Sequence, residues 1–421
     1  MANSLASKNV GLLRLVEERS LTKKIEEEKK HKREKQVPYL HKDCISNILV
    51  RLPLDSLQRS RFVCKPWYNI IKNPKFIDAH LHRSESVLIF LSPFPNESLY
   101  PFSVASVPKE LPNTVSVELN LLQPKPIPIF NHTTINAPRF SVQFLEFKND
   151  KSKIGEYSLS CSGNIRATCN GLILLDNKLK NGGLVVMNPV TRKLIALPLG
   201  TLSRPHDESY GFALIDSTGE YKVVHLFRDE LRYVSCEILS LRTKAWREVN
   251  GPSFGFFNRF VDGPISAIGG LHWIPQVDRS EYIVSIEVDK EKFHQIPLPR
   301  SSRTHDRIVD MGGVLCLVVH EDVNHIDIWI LKGFYGEVWT KYHSITVGSI
   351  IDMVPLFSLR IKGDIIFKRD EDGSFYVYDF QHQEMRKVEM VEGCIPKSSA
   401  TYLPHVNSLV SWMEVNLDMC D

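Results

Sequence analysis

The residues with the strongest claim to chemistry are histidines that stand near a carboxylate. His320 is followed by Glu321 and then by His325. In a zinc-hydrolase helix the two histidine ligands are four residues apart, which places them on one face. Here the separation is one residue longer, and the flanking sequence has the two-residue period of strands. His80 and His82 fall in a helical segment and are expected at its surface. None of these histidines predicts a metal site.

Other patterns for catalysis or cofactor binding are weak. The sequence has no phosphate-binding glycine loop and no GxGxxG dinucleotide motif. Its eight cysteines are scattered without a CxxC pair, which favours reduced, mostly buried thiols over a disulfide framework or a zinc site. Carboxylates that converge in a channel could still bind a metal, and the sequence cannot show convergence. We predict that the protein is not an enzyme and uses no metal or cofactor.

The composition of the chain indicates which classes of partner are not expected. The chain has 421 residues, 43% of them hydrophobic and 24% charged, and its formal net charge is +3. This near balance predicts neither nucleic acid nor a membrane as a partner. No apolar run reaches the roughly 18 residues that a membrane helix needs. The N-terminus lacks the pattern of a signal peptide. We therefore expect a cytoplasmic and/or nuclear location.

One loop is rich in aromatic side chains. The segment NGPSFGFFNRFVDGP, residues 250–264, separates two strand-like runs and carries Phe254, Phe256, Phe257 and Phe260. Two readings stay open for it. The loop is either a buried connection between strands or an apolar patch that contacts a target protein.

The elements that must position these residues change character along the chain. Residues 1–36 have mixed charge and little to bury, so we expect a solvated arm that is disordered or helical, with a lysine-rich cluster that alternatively serves nuclear import.

Residues 38–83 have helical spacing, with apolar side chains at i, i+3, i+4 and i+7: Ile45, Ile48, Leu49 and Leu52. Asp43 is a candidate N-cap, Pro53 ends this helix, and Asn73-Pro74 opens the last of four short helices.

From residue 86 to residue 413 the apolar period is two, and no long helical pattern interrupts it. A unit built on glycine, short strands and a turn recurs about every 50 residues, which is typical of kelch-like propellers. Five units and the irregular segment 86–160 predict an all-β propeller of about six blades. The segment SATYLPHVNSLVSW is expected to supply a strand that closes the ring. Trp246, Trp273, Trp329 and Trp339 are expected to pack between blades. Residues 414–421 are a tail.

The helical segment resembles an F-box. The family pattern stands here as Ile48-Leu49, then Arg51-Leu52-Pro53, then VCKPW at 63–67, and it departs at His41 and Cys44. The resemblance implies docking to a Skp-type adaptor, and through it to a cullin and a RING-box protein. Because so short a segment cannot bury all its apolar side chains, some must be covered, either by the adaptor or alternatively by the propeller alone. The predicted adaptor contacts are Leu40, Ile45, Ile48, Leu49, Leu52, Pro53, Leu57, Val63, Cys64 and Trp67.

The region after it resembles the F-box-associated, kelch-like domain of plant F-box proteins. The segments that carry this resemblance are CNGLILL at 169–175 and NPVTRKLIALP at 188–198. The two resemblances imply a substrate-recognition subunit of an SCF-type ubiquitin ligase, whose propeller binds an unknown target protein for ubiquitination. Two alternatives stay open: a propeller enzyme or small-ligand receptor, and an F-box scaffold that acts outside ubiquitination.

Overall fold

The structure, a computed structural model, describes most of the chain from residue 40 onward. The described residues are 40–93, 127–128, 140–148, 150–161, 163–176, 183–204, 207–253, 260, 263–275, 279–335, 338–346, 352–392 and 402–412. The predicted arm at 1–36 and the predicted tail at 414–421 lie outside these residues.

Four short helices begin the described chain: α1 (Lys42–Leu49), α2 (Leu54–Ser60), α3 (Lys65–Lys72) and α4 (Pro74–Arg83). The prediction of Asn73 as a cap is confirmed, because its side chain accepts a hydrogen bond from the backbone N–H of Lys75 and Pro74 begins α4. The prediction of Asp43 as the N-cap of α1 is wrong. His41 occupies that position and Asp43 lies in the first turn, where its charge complements the helix dipole.

The rest of the described chain forms six sheets, as predicted. Blade 1 contains β1 (Ser86–Pro93), β2 (Ile127–Pro128), β3 (Phe140–Lys148), β4 (Lys151–Cys161), β25 (Glu389–Glu392) and β26 (Leu403–Val406). The other five sheets are antiparallel, and blade 1 also contains the parallel pairs β2–β4 and β25–β4. Blade 2 contains β5 (Ile165–Cys169), β6 (Leu172–Asp176), β7 (Leu184–Asn188) and β8 (Lys193–Leu197). Blade 3 contains β9 (Glu208–Ile215), β10 (Glu220–Arg228), β11 (Val234–Ser240) and β12 (Ala245–Val249).

The remaining three blades have the same four-stranded order. Blade 4 contains β13 (Ile265–Ala267), β14 (Gly270–Trp273), β15 (Tyr282–Glu287) and β16 (Lys292–Pro297). Blade 5 contains β17 (Arg307–Met311), β18 (Val314–His320), β19 (His325–Leu331) and β20 (Thr340–Thr346). Blade 6 contains β21 (Met353–Ser358), β22 (Ile365–Arg369), β23 (Phe375–Asp379) and β24 (Glu384–Lys387).

The ring is closed by the last strand. β26 pairs antiparallel with β1, with Ser86 opposite Val406 and Ile89 opposite Leu403, so the predicted closing strand is confirmed. The innermost strands, β26, β5, β9, β13, β17 and β21, each contact the innermost strand of the next blade around the ring. β25 adds a second link, because it follows β24 of blade 6 and pairs parallel with β4 of blade 1. Closure gives each described inner strand a neighbouring inner strand on both sides around the ring.

The core consists of apolar clusters between neighbouring blades. One such cluster joins blades 3 and 4 and includes Trp273, which is 2% exposed. Another joins blades 4 and 5, with Trp339 buried in it and Trp329 packed against it. The interpretation of these three tryptophans as packing between blades is confirmed. The indole N–H of Trp246 donates to the backbone carbonyl of Pro198, which joins blade 3 to the end of blade 2.

The chain divides into two compact units, Met1–Lys72 and Asn73–Asp421. The predicted helical segment 38–83 spans this division, since α4 belongs to the second unit with the propeller. Two contacts anchor that end of the second unit. Arg360 donates to the backbone carbonyl of Leu81, and the backbone N–H of Ile361 donates to the Glu85 carboxylate. Along the described chain, every helix is too short to cross a membrane.

Candidate functional site

The helical unit, described over residues 40–72, leaves several large apolar side chains in solvent. We call five of them the exposed apolar set: Phe62 (89% exposed), Val63 (61%), Leu40 (55%), Ile48 (52%) and Tyr68 (45%). Single exposed apolar residues are common in proteins, but five within one short helical unit are not. Such a surface is suited to being covered by another protein.

Local backbone geometry explains why two of these side chains face outward. α2 ends at Ser60, and the chain then turns before α3 begins at Lys65. The backbone N–H of Phe62 donates to Arg59, and that of Val63 donates to Ser60, so the turn is held by hydrogen bonds three residues apart. Phe62 and Val63 therefore project from a fixed turn, outside the amphipathic period of either helix.

The structure sorts the ten predicted adaptor contacts into three groups. Leu40, Ile48, Pro53, Val63 and Cys64 are exposed, and Ile45, Leu52 and Trp67 are partly buried. Leu49 and Leu57 are fully buried at 0% exposure, so in this structure they are core residues and not surface contacts. The reason is that the apolar stripe of a short helix faces its neighbouring helices first.

Two members of the exposed apolar set were absent from the sequence prediction. Phe62 lies in a turn between two charged residues, Arg61 and Lys65, and Tyr68 lies on the outer side of α3. Helical periodicity does not select either of them. Phe62 could have been predicted from its position, because a large aromatic residue in a turn between two helices has no helix face on which it can be buried.

The aromatic loop at 250–264 is described only in part. Phe260 is 8% exposed and belongs to the cluster between blades 3 and 4, so it supports a buried connection and offers no exposed contact. Phe254, Phe256 and Phe257 lie outside the described residues, and their role as target contacts stays a prediction. The loop also contains GPSFG at 251–255, which has the spacing of a GxSxG nucleophile turn. That turn requires a strand-to-helix context; Ser253 follows β12, and residues 254–259 lie outside the described residues.

A buried acid–base cluster lies inside blade 3. His225 is 0% exposed, with Nδ1 2.8 Å from Glu237 Oε1 and Nε2 3.3 Å from Glu208 Oε2. Its ring stacks on Tyr210 with the centroids 4.2 Å apart. Burial alone lowers the pKa of His225, but the hydrogen bonds and charges of the two glutamates outweigh burial and raise it. The cluster has the groups for proton transfer, but no reactant reaches a fully buried ring, so it ties three strands together.

The histidines of blade 5 do not converge on a metal site. His320 Nδ1 lies 3.3 Å from Asp306, whereas His325 Nδ1 lies 2.8 Å from Asp322. The two rings therefore have separate carboxylate partners at a hairpin. Within the described residues, no group of three histidine, cysteine or acidic side chains is arranged to hold a metal ion.

Comparison with known protein families assigns both parts of the chain. Residues 39–78 match the F-box domain, and residues 131–410 match the F-box associated beta propeller domain. The second match covers more than half of the chain. The chain belongs to the F-box proteins with an associated β-propeller domain. F-box domains generally bind Skp-type adaptors, so the exposed apolar set lies on the part of the chain where adaptor binding is expected.

The chain is also similar to several F-box proteins of Arabidopsis thaliana. F-box protein At3g07870 is 25% identical over 73% of this chain and 72% of its own length. F-box protein CPR1 is 24% identical over 87% of this chain and 88% of its own length. F-box/kelch-repeat protein At3g23880 is 25% identical over 74% of this chain and 80% of its own length. The name of the third relative includes kelch repeats, in agreement with the kelch-like description of the propeller.

Proposed function

We propose that this protein is the substrate-recognition subunit of an SCF-type ubiquitin ligase. In this proposal the F-box docks to a Skp-type adaptor, which recruits a cullin and a RING-box protein, and the propeller binds a target protein. The observation that carries the proposal is the exposed apolar set on helices that match the F-box domain. The compartments proposed for this assembly are the cytoplasm and/or the nucleus.

The energetics favour adaptor docking through a few large side chains. Burying one exposed Phe, Leu, Ile or Val side chain contributes about 1.5–3 kcal/mol. Phe62 is the most exposed of the set and Val63 is adjacent to it, so this pair offers the largest gain. Interfaces commonly concentrate their affinity in a few such residues. We therefore assign the turn between α2 and α3 as the centre of the adaptor contact.

The proposed role requires no chemistry from this chain. Holding a target on the propeller keeps its lysines near the conjugating enzyme, which raises their effective concentration. The family match supports a binding role. The acid–base cluster around His225 is compatible with that role, because the ring is fully buried and its partners are the chain's own glutamates.

The assembly is tested by co-purification from cells. The full chain is expected to bring down the adaptor, the cullin and the RING-box protein, and Phe62→Asp with Val63→Asp is expected to lose all three together. The matched control is Leu202→Asp, which places a charge on an equally exposed propeller side chain (83% exposed). Equal recovery of the adaptor by the two variants would contradict the proposal.

A second experiment separates ubiquitination from a scaffolding role. Deletion of residues 40–72 removes the F-box helices of the first unit but keeps α4, which the Arg360–Leu81 hydrogen bond anchors to the propeller unit. Proteins labelled by proximity to both forms are candidate targets. If the chain directs ubiquitination, at least one of them should persist longer in cells that express the deletion. Unchanged lifetimes for every shared protein would favour a scaffold instead.

A further inference from the structure

Three large apolar side chains are exposed at one end of blade 3. Leu202 (83% exposed) lies in the segment after β8, and Leu231 (76%) and Tyr233 (70%) lie in the hairpin between β10 and β11. They are three of the four most exposed large apolar side chains among the described propeller residues. We call them the blade 3 patch. Exposed apolar side chains are usually scattered singly over a protein surface, so a group of them indicates an interaction site.

Hydrogen bonds at Asp207 hold the two segments of the patch side by side. The Asp207 carbonyl oxygen accepts from the Ser203 hydroxyl at 3.3 Å and from the backbone N–H of Arg228 at 3.0 Å. Ser203 directly follows Leu202, and Arg228 is the last residue of β10, where the hairpin begins. The patch is therefore one surface that two adjoining segments build together.

Carboxylates fix both segments. Glu237 accepts from the backbone N–H of Thr201 at 2.8 Å and from its hydroxyl at 3.1 Å, and it also lies 2.8 Å from Nδ1 of the buried His225. In the hairpin, the Asp229 carboxylate accepts from the backbone N–H of Tyr233 at 2.9 Å. The fold thus holds the patch in solvent, so a partner covers its apolar area without the cost of ordering these segments.

The charged residues around the patch balance each other. Three arginines and three carboxylates lie on the two segments: Arg204, Arg228, Arg232, Asp207, Asp229 and Glu230. A surface with charge of one sign repels a copy of itself, whereas a balanced surface does not. The balance therefore suits a second copy of the same chain as the partner.

Two of these charges remain available to that partner. Arg204 lies two residues after Leu202, and Glu230 directly precedes Leu231. Both side chains are exposed, and neither forms an ion pair with the described residues. The cation thus belongs to one segment of the patch and the carboxylate to the other.

We infer that the blade 3 patch joins two copies of this chain about a twofold axis. Such an axis sets the segment after β8 against the hairpin of the second copy, and symmetry repeats the contact in the opposite sense. Leu202 then packs on Leu231 of the second copy, and Arg204 pairs with Glu230 of the second copy. This surface goes beyond the proposed role in ubiquitination and does not depend on adaptor docking. A dimer of this kind would carry two F-box units, which raises the effective concentration of conjugating enzyme at a bound target.

Sedimentation equilibrium of the full chain tests for the dimer. A standard interface buries about 800 Å² on each partner. Because only three large apolar side chains form the patch, we expect a weaker association, with a dissociation constant of about 10–100 μM. Loading concentrations from about 1 to 300 μM therefore cover both the monomer and the dimer.

Variants assign the dimer to the patch. Leu202→Ser with Leu231→Ser removes two of its apolar side chains and should weaken the dimer at least about tenfold. The matched control is Val338→Ser, because Val338 is 78% exposed in blade 5, and it should leave the dimer unchanged. Phe62→Asp with Val63→Asp should also leave it unchanged, which separates the patch from self-association through the exposed apolar set. Melting curves verify that each variant is folded.

Charge reversal tests the twofold arrangement. Arg204→Glu alone or Glu230→Arg alone places like charges opposite each other and should weaken the dimer about tenfold. The two substitutions together restore opposite charges across the axis and should restore the wild-type association.

Three results would overturn the inference in whole or in part. A wild-type chain that stays monomeric at every loading concentration would contradict it and leave the patch to the target protein. A dimer that persists in the Leu202 and Leu231 double variant, or that is lost in the Phe62 and Val63 double variant, would place the contact elsewhere. If the double charge reversal does not restore association, the pairing of Arg204 with Glu230 is wrong. Adaptor binding is measured separately by co-purification, so failure of the dimer and failure of adaptor docking are distinguishable.

Discussion

At the scale of single residues, Asn188 ties the end of the chain to blade 2. It is 0% exposed, and its amide nitrogen donates to the backbone carbonyls of Ser408 and Val410 at 3.1 and 2.9 Å. Its amide oxygen accepts hydrogen bonds from the backbone N–H groups of Val190 and Thr191. One side chain therefore makes four hydrogen bonds to the backbone, two of them to blade 2 and two to the segment after β26.

Replacing Asn188 with alanine should lower the free energy of unfolding by about 3 kcal/mol, because the buried carbonyls of Ser408 and Val410 lose this donor and two further hydrogen bonds are lost. Urea unfolding of the full chain measures the effect. Asn250→Ala, at an exposed position, is the matched control and should cost less than about 0.5 kcal/mol. Equal stability of the two variants would mean that Asn188 does not anchor the chain end.

His272 makes the stability of blade 4 depend on pH. The ring is 0% exposed, its Nδ1 lies 2.7 Å from the Ser285 hydroxyl and its Nε2 lies 3.0 Å from the Ala267 carbonyl. Burial lowers its pKa to about 4, although the bond to Ala267 acts in the opposite direction. Between the ordinary pKa of 6.5 and about 4, the unfolded chain takes up a proton that the folded chain does not. Folding therefore weakens as the pH falls through that window.

Between pH 7 and pH 5, His272 should lower the free energy of unfolding of the wild-type chain by about 2 kcal/mol. His272→Gln should not show this decrease. Glutamine can keep both hydrogen bonds but cannot take up the proton. Urea midpoints at the two pH values, compared with those of His82→Gln at an exposed position, give the difference. The same pH dependence in both variants would refute this role for His272.

The exposed apolar set shows which surface residues of the helical unit could be predicted from the sequence and which could not. Helical spacing selected Ile48 and the F-box pattern selected Val63; both side chains are exposed, and their contact with an adaptor stays a prediction. The two patterns also placed Leu49 and Leu57 among the contacts, although both are buried. Periodicity indicates that a face is apolar, but which neighbour covers that face depends on how short helices pack together. Phe62 lies in a turn, where periodicity gives no information.

At the scale of secondary-structure elements, the two-residue period was a reliable guide. Repeated units of about 50 residues predicted the blades, and the segment SATYLPHVNSLVSW contains β26, the strand that closes the ring. The pairing of β25 with β4 was not predicted. The two strands are more than two hundred residues apart, and their pairing follows from the closure of the ring and not from local sequence.

Truncation tests the closing strand directly. A chain that ends before Leu403 loses β26, so blade 1 loses its innermost strand and blades 1 and 2 lose an inter-blade contact. We expect loss of the cooperative melting transition, or a fall in melting temperature of at least about 10 °C. A chain that ends after Trp412 keeps β26 together with Ser408 and Val410, and it should melt like the full chain. Similar melting of both truncated chains would contradict the closing role of β26.

At the scale of the whole molecule, two compact units carry two proposed kinds of binding. The helical unit presents the exposed apolar set, and the propeller unit encloses a cavity whose wall all six blades share. Their proposed partners differ, since the helical unit is proposed to bind an adaptor and the propeller unit is proposed to bind the target protein. Substitutions in one unit should therefore leave binding by the other unit unchanged, because they share no described residues.

The central claim is most directly tested by calorimetric titration of the full chain with a purified Skp-type adaptor. We predict a one-to-one complex with a dissociation constant of about 1 μM or tighter, in which apolar burial is marked by a negative heat-capacity change. Phe62→Asp with Val63→Asp should weaken it at least about 100-fold, whereas Leu202→Asp should bind like the wild-type chain. No measurable binding by the wild-type chain, or unchanged affinity in the double variant, would contradict the account.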